Sequence, residues 1–358
     1  MNRKKYPLLT KSRREHFGGI IFREHPGFLA YIDEAYADFY NIPYNEKAVL
    51  CAGVFSSPLD AHLALTTACN LYCRGCYNTN KQKPIKYLSW DLAKKIIDKL
   101  SELNVFSVSF GGGEPTLHPD LIKIAEYARE KQVLPNITTN GLTMTEEFAE
   151  KCAVFGNVHF SLHHPQDWDH VLPAISNYRK ATKRKPGLNL LLTSKTLPIL
   201  EDIISQARKS GCLKILFLRY KTTANNPNDN DLNIDNQLVK LIEKLRLLDF
   251  SAKQMMFLFD CSIFETLASN SLLDVKTCQK YDYNGCQGGN AYIAIDVDGN
   301  YKPCSFGGET FGSILDLDYQ SWIQNSKLSQ FRNQTKNSLC AECEFSKLCN
   351  GGCRILYE

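Results

Sequence analysis

The sequence predicts an α/β fold: parallel strands wrapped by helices, with a short strand-rich segment before them and a small cysteine-rich region after them. Two observations predict it. Apolar strand candidates alternate with helix candidates six times between residue 60 and about residue 248. Of the 14 cysteines, three sit at Cys69, Cys73 and Cys76 and seven between Cys278 and Cys353.

The first segment, 1–57, carries strand-like runs around Gly18 to Arg23 and Phe28 to Ile32, with a turn at His25-Pro26-Gly27. A short helix is expected from Asp33 to Tyr40. Strand candidates in the middle region, 58–258, are His62–Thr67, Val105–Phe110, Val133–Thr139, Val158–Leu162, Leu188–Thr193 and Leu213–Tyr220. Ser89 is a good N-cap for a helix that puts Leu92, Ile96, Leu100 and Leu103 on one face. A further helix is expected from Asp235, with Leu238, Leu241, Ile242, Leu245 and Leu248 on one stripe. The βα unit recurs every 25 to 30 residues or so, about one strand plus its crossover helix, which argues for parallel strands. Periodicity alone does not separate a six-unit partial barrel from an open sheet. In the last region, 259–358, helical periodicity fades and Ala291–Val297, Asp298-Gly299 and the run to Cys304 read as a hairpin. A large apolar core is not expected there, and metal would replace it.

Composition is that of an ordinary globular chain, 44% hydrophobic and 22% charged over 358 residues. A formal charge of +4 is too small to argue for a nucleic-acid partner. There is no apolar run of the roughly 20 residues that a membrane span needs, and the basic start lacks a signal-peptide core, so a cytoplasmic location is expected. Close cysteine spacing in such a chain points to metal rather than to disulfides. Cys51, Cys152, Cys212 and Cys261, in apolar contexts, read as core residues.

Cys69, Cys73 and Cys76 form C-x3-C-x2-C just after the first strand, at the end where α/β folds place their active sites. Three thiolates suit a [4Fe–4S] cluster and leave one iron without a protein ligand. A four-cysteine zinc site would need a fourth ligand nearby, and none is evident. This segment, with Tyr77 after its last cysteine, resembles the signature of the radical S-adenosylmethionine (SAM) superfamily. Gly111-Gly112-Gly113-Glu114-Pro115, after the second strand, resembles the family's Gly-Gly-Glu motif; its plain reading is a glycine turn capped by a carboxylate. The resemblance covers about residues 58 to 250 and implies a partial (β/α)6 barrel. It also implies reductive cleavage of SAM to a 5′-deoxyadenosyl radical that abstracts hydrogen from substrate. The SAM amino group would meet Gly111, Gly112, Gly113 and Glu114. Strand-end residues Thr138, Thr139, Asn140, Ser161, Ser194 and Arg219 would approach the rest of the molecule, or serve only as polar strand termini. Many relatives end the fourth strand in Ser-x-Asp; here it is Ser161-Leu162-His163, which leaves a substrate role open for His163. A zinc site at His163, His164 and His170 is the weaker alternative.

The later cysteines read Cys278-x7-Cys286-x12-Gly299-x4-Cys304, then Cys340-x2-Cys343-x5-Cys349-x3-Cys353. They resemble the SPASM domain, which holds auxiliary [4Fe–4S] clusters. By family position, one cluster would take Cys278, Cys286, Cys304 and Cys353, and a second Cys340, Cys343 and Cys349. The family's last cysteine has no counterpart before Glu358, so the second cluster is expected to have an open or non-cysteine ligand, or to be absent, unless the natural chain is longer; Cys261 could complete it, though its position argues against that. Zinc ribbons are the competing reading of these residues. Arg14 to Phe22 and Phe28 to Ile32 weakly resemble the start of a RiPP recognition element, a module that binds the leader of a ribosomally made peptide by strand addition; a hairpin packed on the barrel is the plainer reading. Together the resemblances imply modification of a precursor peptide by crosslinking, epimerisation or oxidation, with flavodoxin or ferredoxin as electron donor. Sulfatase maturation, small-molecule dehydrogenation and a non-catalytic zinc scaffold are the alternatives.

Overall fold

The computed structural model describes residues 6–25, 27–78, 84–221, 234, 237, 240, 243, 255–271, 273–280, 285–333, 340, 342–349 and 351–356. The helix expected from Asp235 and the proline of the turn at 25–27 lie outside the described residues.

The chain opens with an antiparallel sheet, β1 (Thr10–Glu15), β2 (Gly18–Arg23) and β3 (Phe28–Ile32), in the order β1-β2-β3. Helix α1 (Glu34–Phe39) follows, capped by Asp33, whose Oδ1 accepts from the Tyr36 amide at 2.9 Å. The sequence reading had no place for β1, which is almost wholly polar. Its charges are buried in pairs instead: Arg13 Nε donates to Glu15 Oε1 at 2.8 Å, and Arg13 also donates to the Pro58 carbonyl at 2.9 Å. A second buried bridge joins Glu24 to Arg129 at 2.6 Å. Ile20 packs with Leu59 and Phe106, so this sheet is fastened to the ends where the barrel strands begin.

The main sheet has the order β10-β9-β8-β7-β6-β5-β4-β11-β12-β13. Six strands are those the alternation predicted: β4 (Asp60–Thr66), β5 (Ser107–Gly112), β6 (Leu134–Thr139), β7 (Val158–Leu162), β8 (Gly187–Leu192) and β9 (Lys214–Arg219). Neighbours among them pair in parallel. Helices α2 (Trp90–Glu102), α3 (Leu121–Glu130), α4 (Glu146–Lys151), α5 (Trp168–Thr182) and α6 (Leu200–Ser210) are the crossovers. Ser89 caps α2, and Ile96, Leu100 and Leu103 are buried, as their shared face requires. Along each strand one set of alternate residues enters the helix-facing core, such as Leu63, Val108 and Phe160. The other set, such as His62, Ser109 and Ser161, faces the interior.

Two parallel strands extend the predicted six. β10 (Met256–Phe259) pairs with β9, and β11 (Tyr292–Ile295) pairs with β4 through Tyr292 and Asp60. The expected hairpin is present as β11 and β12 (Asn300–Lys302), followed by β13 (Gly312–Ser313). It adds to the edge of the barrel sheet rather than standing alone. The last region also buries more apolar surface than its sequence promised: Ile314, Tyr319, Trp322 and Leu328 join the core of the barrel. Among the described residues hydrogen bonding leaves the sheet open, and near its two ends the loop after β9 meets the loop after β12. Lys221, just past β9, lies 4.5 Å over the ring of Phe306, just past β12.

Candidate active site

The cysteine loop leaves β4 and is seated by the glycine run at the end of β5. The Gly113 amide donates to the Thr66 carbonyl at 2.7 Å, and the Glu114 amide to the Ala68 carbonyl at 2.8 Å. Gly112 has φ +118, and a Cβ there would stand 2.3 Å from the Thr66 oxygen. A Cβ at Gly113 would stand 2.0 Å from the Ala68 oxygen. Only glycine allows these approaches. Gly111 faces His62, whose ring occupies the space a side chain would take.

Glu114 is buried and joins three segments. Its Oε1 accepts from Thr116 Oγ1 at 2.6 Å, from the Thr116 amide at 3.1 Å and from Thr139 Oγ1 at 2.7 Å. Its Oε2 accepts from the Asn140 amide at 2.8 Å, and keeps a lone pair for a further donor. Asn140 Nδ2 donates to Asn70 Oδ1 at 2.7 Å, inside the cysteine motif. Glu114, Thr139 and Asn140 therefore couple the end of β6 to the loop that carries the cysteines.

The remaining expected residues divide. Ser161 and Ser194 are half-buried. Thr138 Oγ1 faces inward and accepts from Asn189 at 3.3 Å. Arg219 is buried and donates to the Ser262 carbonyl at 2.8 Å, with Glu265 at 3.9 Å, so it engages the turn after β10. The amides of His163 and His164 donate to Asp167 at 2.7 and 2.8 Å, which shapes the turn after β7. The Tyr77 ring lies tilted against that of Phe306, centroids 4.9 Å apart. Although 37% of the residue is exposed, desolvation of its phenol between Cys76 and Cys304 holds the hydroxyl well above its usual range.

Burial raises the Cys69 thiol, and burial with the neighbouring Cys76, Asp167 and Cys69 raises Cys73 to about 11. Three thiols in one partly desolvated loop would suit a cationic metal core, whose charge would reverse the penalty on forming their thiolates. The Leu71 amide already donates to Cys69 Sγ at 3.4 Å. Among the described residues no three His, Cys, Asp or Glu side chains group as the ligands of a single ion. Deeper in the barrel, burial pushes Asp60 up to about 7 and, helped by Lys302 and Lys214 respectively, His62 and His159 down to about 4.

The later cysteines form two neighbouring groups. Cys304 and Cys353 pack in one cluster with Phe331 and Phe306. Cys286 belongs with them: a Cβ at Gly288 would meet both the Cys286 sulfur and the Pro303 carbonyl, as well as the Phe331 ring. Cys261, read from sequence as a core residue, neighbours Cys286. Cys278, expected beside Cys286, is buried against Phe264 and Phe345, where Cys349 also packs. Cys152 and Cys212 are buried in the barrel core as expected.

Residues 63–193 match the family model of the radical SAM superfamily. PqqA peptide cyclase of Rhodopseudomonas palustris is 31% identical over 86% of this chain and 85% of its own length. The chain belongs to the radical SAM superfamily. Residues 286–344 of this radical SAM enzyme match the SPASM iron–sulfur cluster-binding domain. Mycofactocin maturase MftC of Mycolicibacterium smegmatis is 28% identical over 84% of the chain and 80% of its own length. Streptococcus suis SuiB, solved with S-adenosylmethionine, shares the fold at 17% identity, with a TM-score of 0.77 over 97% of this chain and 94% of that one; the complex of SuiB with its precursor peptide SuiA gives 0.74 at 18% identity. Family membership gives the radical SAM enzyme its [4Fe–4S] clusters and SAM, and sets aside the zinc scaffold. No described helix is long and apolar enough to cross a membrane. Sequence reasoning missed Asn70, Lys221 and Asp260. Asn70 was visible only as a polar residue between two motif cysteines, and the Lys221–Asp260 ion pair joins residues far apart in sequence.

Proposed function

We propose that this radical SAM enzyme modifies a ribosomally made precursor peptide, by crosslinking, epimerisation or side-chain oxidation. The observation that carries the reading is the sheet at the start of the chain. Its strand β3 is an edge, and Phe28 and Leu29 on it are 42% and 37% exposed. Tyr36, Phe39 and Tyr40 of the α1 region, which follows β3 in the chain and packs on β2, are exposed as well. An unpaired edge flanked by exposed aromatics suits an extended peptide that adds a strand and fills apolar contacts. The printed names of a peptide cyclase, a maturase and a complex with a precursor peptide support the same substrate class.

Cys69, Cys73 and Cys76 hold the catalytic cluster in this reading. The bound cluster and SAM supply one-electron cleavage of the sulfonium and hydrogen-atom abstraction. The protein's own part is placement. Glu114 Oε2 and the turn at Gly111 to Gly113 receive the ammonium of the ligand, while Thr139 and Asn140 hold Glu114 and the cysteine loop in register. Ser161, Ser194 and Tyr77 line the approach. Arg219 fixes the turn after β10 that borders the mouth. The reducing electron comes from a flavodoxin- or ferredoxin-type donor, and thiol-ligated clusters of low potential suit the cytoplasm.

The test uses anaerobically reconstituted protein with dithionite, SAM and the short peptides encoded beside the gene. Release of 5′-deoxyadenosine with a mass change in one peptide is expected. The Cys69→Ala, Cys73→Ala, Cys76→Ala triple variant should release none while retaining auxiliary iron. Release from the wild type with every peptide left unchanged would remove the peptide from the proposal.

A further inference from the structure

We infer that the auxiliary sites divide the cysteines as Cys261, Cys286, Cys304 and Cys353 for one cluster and Cys278, Cys340, Cys343 and Cys349 for the other. This rests on the cysteine-rich region binding iron–sulfur clusters, and it departs from the family's positional assignment at Cys261 and Cys278.

The first set gathers from four separate segments. Cys261 begins the turn after β10, with Asp260 as its cap. Its thiol neighbours that of Cys286, which precedes β11, and Lys221, paired with the adjacent Asp260, lies over the ring of Phe306, two residues past Cys304. A Cβ at Gly288 would stand 3.6 Å from the Cys286 sulfur and 2.9 Å from the carbonyl oxygen of Pro303, the residue before Cys304, so Cys286 and the Cys304 segment border the same glycine. Cys304 and Cys353 share the Phe331 packing cluster. The Lys221 ammonium is buried among them, paired with Asp260. A buried cation suits a cubane with four thiolates, which carries net negative charge.

The second set is built on a helix pair. Cys278 lies on the helix Val275–Lys280, which packs against the helix Ser346–Cys349. Cys278 is fully buried, with Phe264 and Phe345 around it and Cys349 alongside. The Cys343 amide donates to the Cys340 carbonyl at 3.3 Å, and the Cys349 amide to the Phe345 carbonyl at 2.7 Å. These two turns keep Cys340, Cys343 and Cys349 on one short, folded stretch of chain. The Gly285 amide donates to the Leu348 carbonyl at 2.9 Å, so the chain passes this group before Cys286 turns to Cys261. Cys278 is then the fourth thiolate of the second site, which leaves no iron there without a cysteine ligand.

The experiment uses the full chain with Cys69, Cys73 and Cys76 replaced by Ala, reconstituted anaerobically, where about eight irons per chain are expected. Cys304→Ala and Cys343→Ala mark the paramagnetic resonance signals of the first and second sites after reduction. Cys261→Ala should then lose the signal that Cys304→Ala loses, and Cys278→Ala the one that Cys343→Ala loses. If Cys278→Ala fails to fold, Cys278→Ser keeps the volume and offers an oxygen ligand, and a shift confined to the second signal supports the division. Loss or shift of the first signal on changing Cys278, or both signals intact in Cys261→Ala, overturns it. A background protein without iron would overturn the cluster reading itself, and the marker variants would then change nothing.

Discussion

Glu114 accepts four hydrogen bonds from the protein through its two oxygens and faces the place where the ligand's ammonium is expected. Glu114→Gln keeps the shape but removes the charge. A hydrogen bond to a charged group contributes about 1.5 to 3 kcal/mol, so affinity for SAM should fall roughly ten- to a hundredfold. Equilibrium binding on protein of unchanged iron content measures this; unchanged affinity would leave Glu114 a structural strut. Asp60 offers a test of a different kind. Burial raises its carboxyl to about 7, although Ser107 Oγ donates to it at 2.6 Å. A carboxyl raised in the folded state binds protons that the unfolded chain has released. Its stabilising contribution is therefore complete below the unfolded value near pH 4 and lost as pH rises to about 7. The neutral variant Asp60→Asn should gain stability relative to the wild type across that window and hold a constant difference above it. Denaturant titrations at several pH values decide the matter, and a flat difference would refute the buried-acid account. At this scale the cysteine motif and the glycine run were legible because local spacing encodes them. Asn70 and the Cys261–Cys286 contact were not, since each depends on a partner that only the fold brings near.

Among the elements, the six barrel strands were legible because each is apolar on its helix-facing side and repeats with its helix. β1 was hidden because Arg13, Arg14 and Glu15 are buried as ion pairs, which inverts the hydropathy signal. β11 reads as half of a hairpin, and its parallel pairing with β4 is too distant in sequence to be foreseen. The helix Tyr319–Gln324 was missed although Asp318 and Ser321 form its capping box. β3 carries the functional prediction for this scale. Removing residues 1–57 outright would strip Phe106 and Leu59 of their cover, so a local change is the better probe. Phe28→Glu with Leu29→Glu should weaken binding of a labelled precursor peptide at least tenfold and leave 5′-deoxyadenosine release without peptide unchanged. Unaltered affinity, read by fluorescence polarisation, would return this sheet to a purely structural role.

Across the whole molecule the three regions are interlocked. Trp322 is fully buried, and its Nε1 donates to the Phe55 carbonyl at 2.8 Å, so the last region grips the segment that leads into β4. Trp322→Ala should cost about 3 to 5 kcal/mol, seen as a lower denaturation midpoint of the cluster-loaded chain; a loss under about 1 kcal/mol would mean that the region folds independently of the barrel. The sequence reading treated the cysteine-rich region as poor in core because its apolar residues are scattered; they complete a core whose larger part lies elsewhere in the chain.

The contact between Lys221 and Phe306 also bears on the order in which the chain acquires its shape. Cys69, Cys73 and Cys76 lie within one short loop seated by the ends of β5 and β6, so this loop can be organised while later segments are still being made. Cys261, Cys286, Cys304 and Cys353 are separated by up to 92 residues and neighbour one another only after the chain beyond β10 has folded back on the barrel, late in translation.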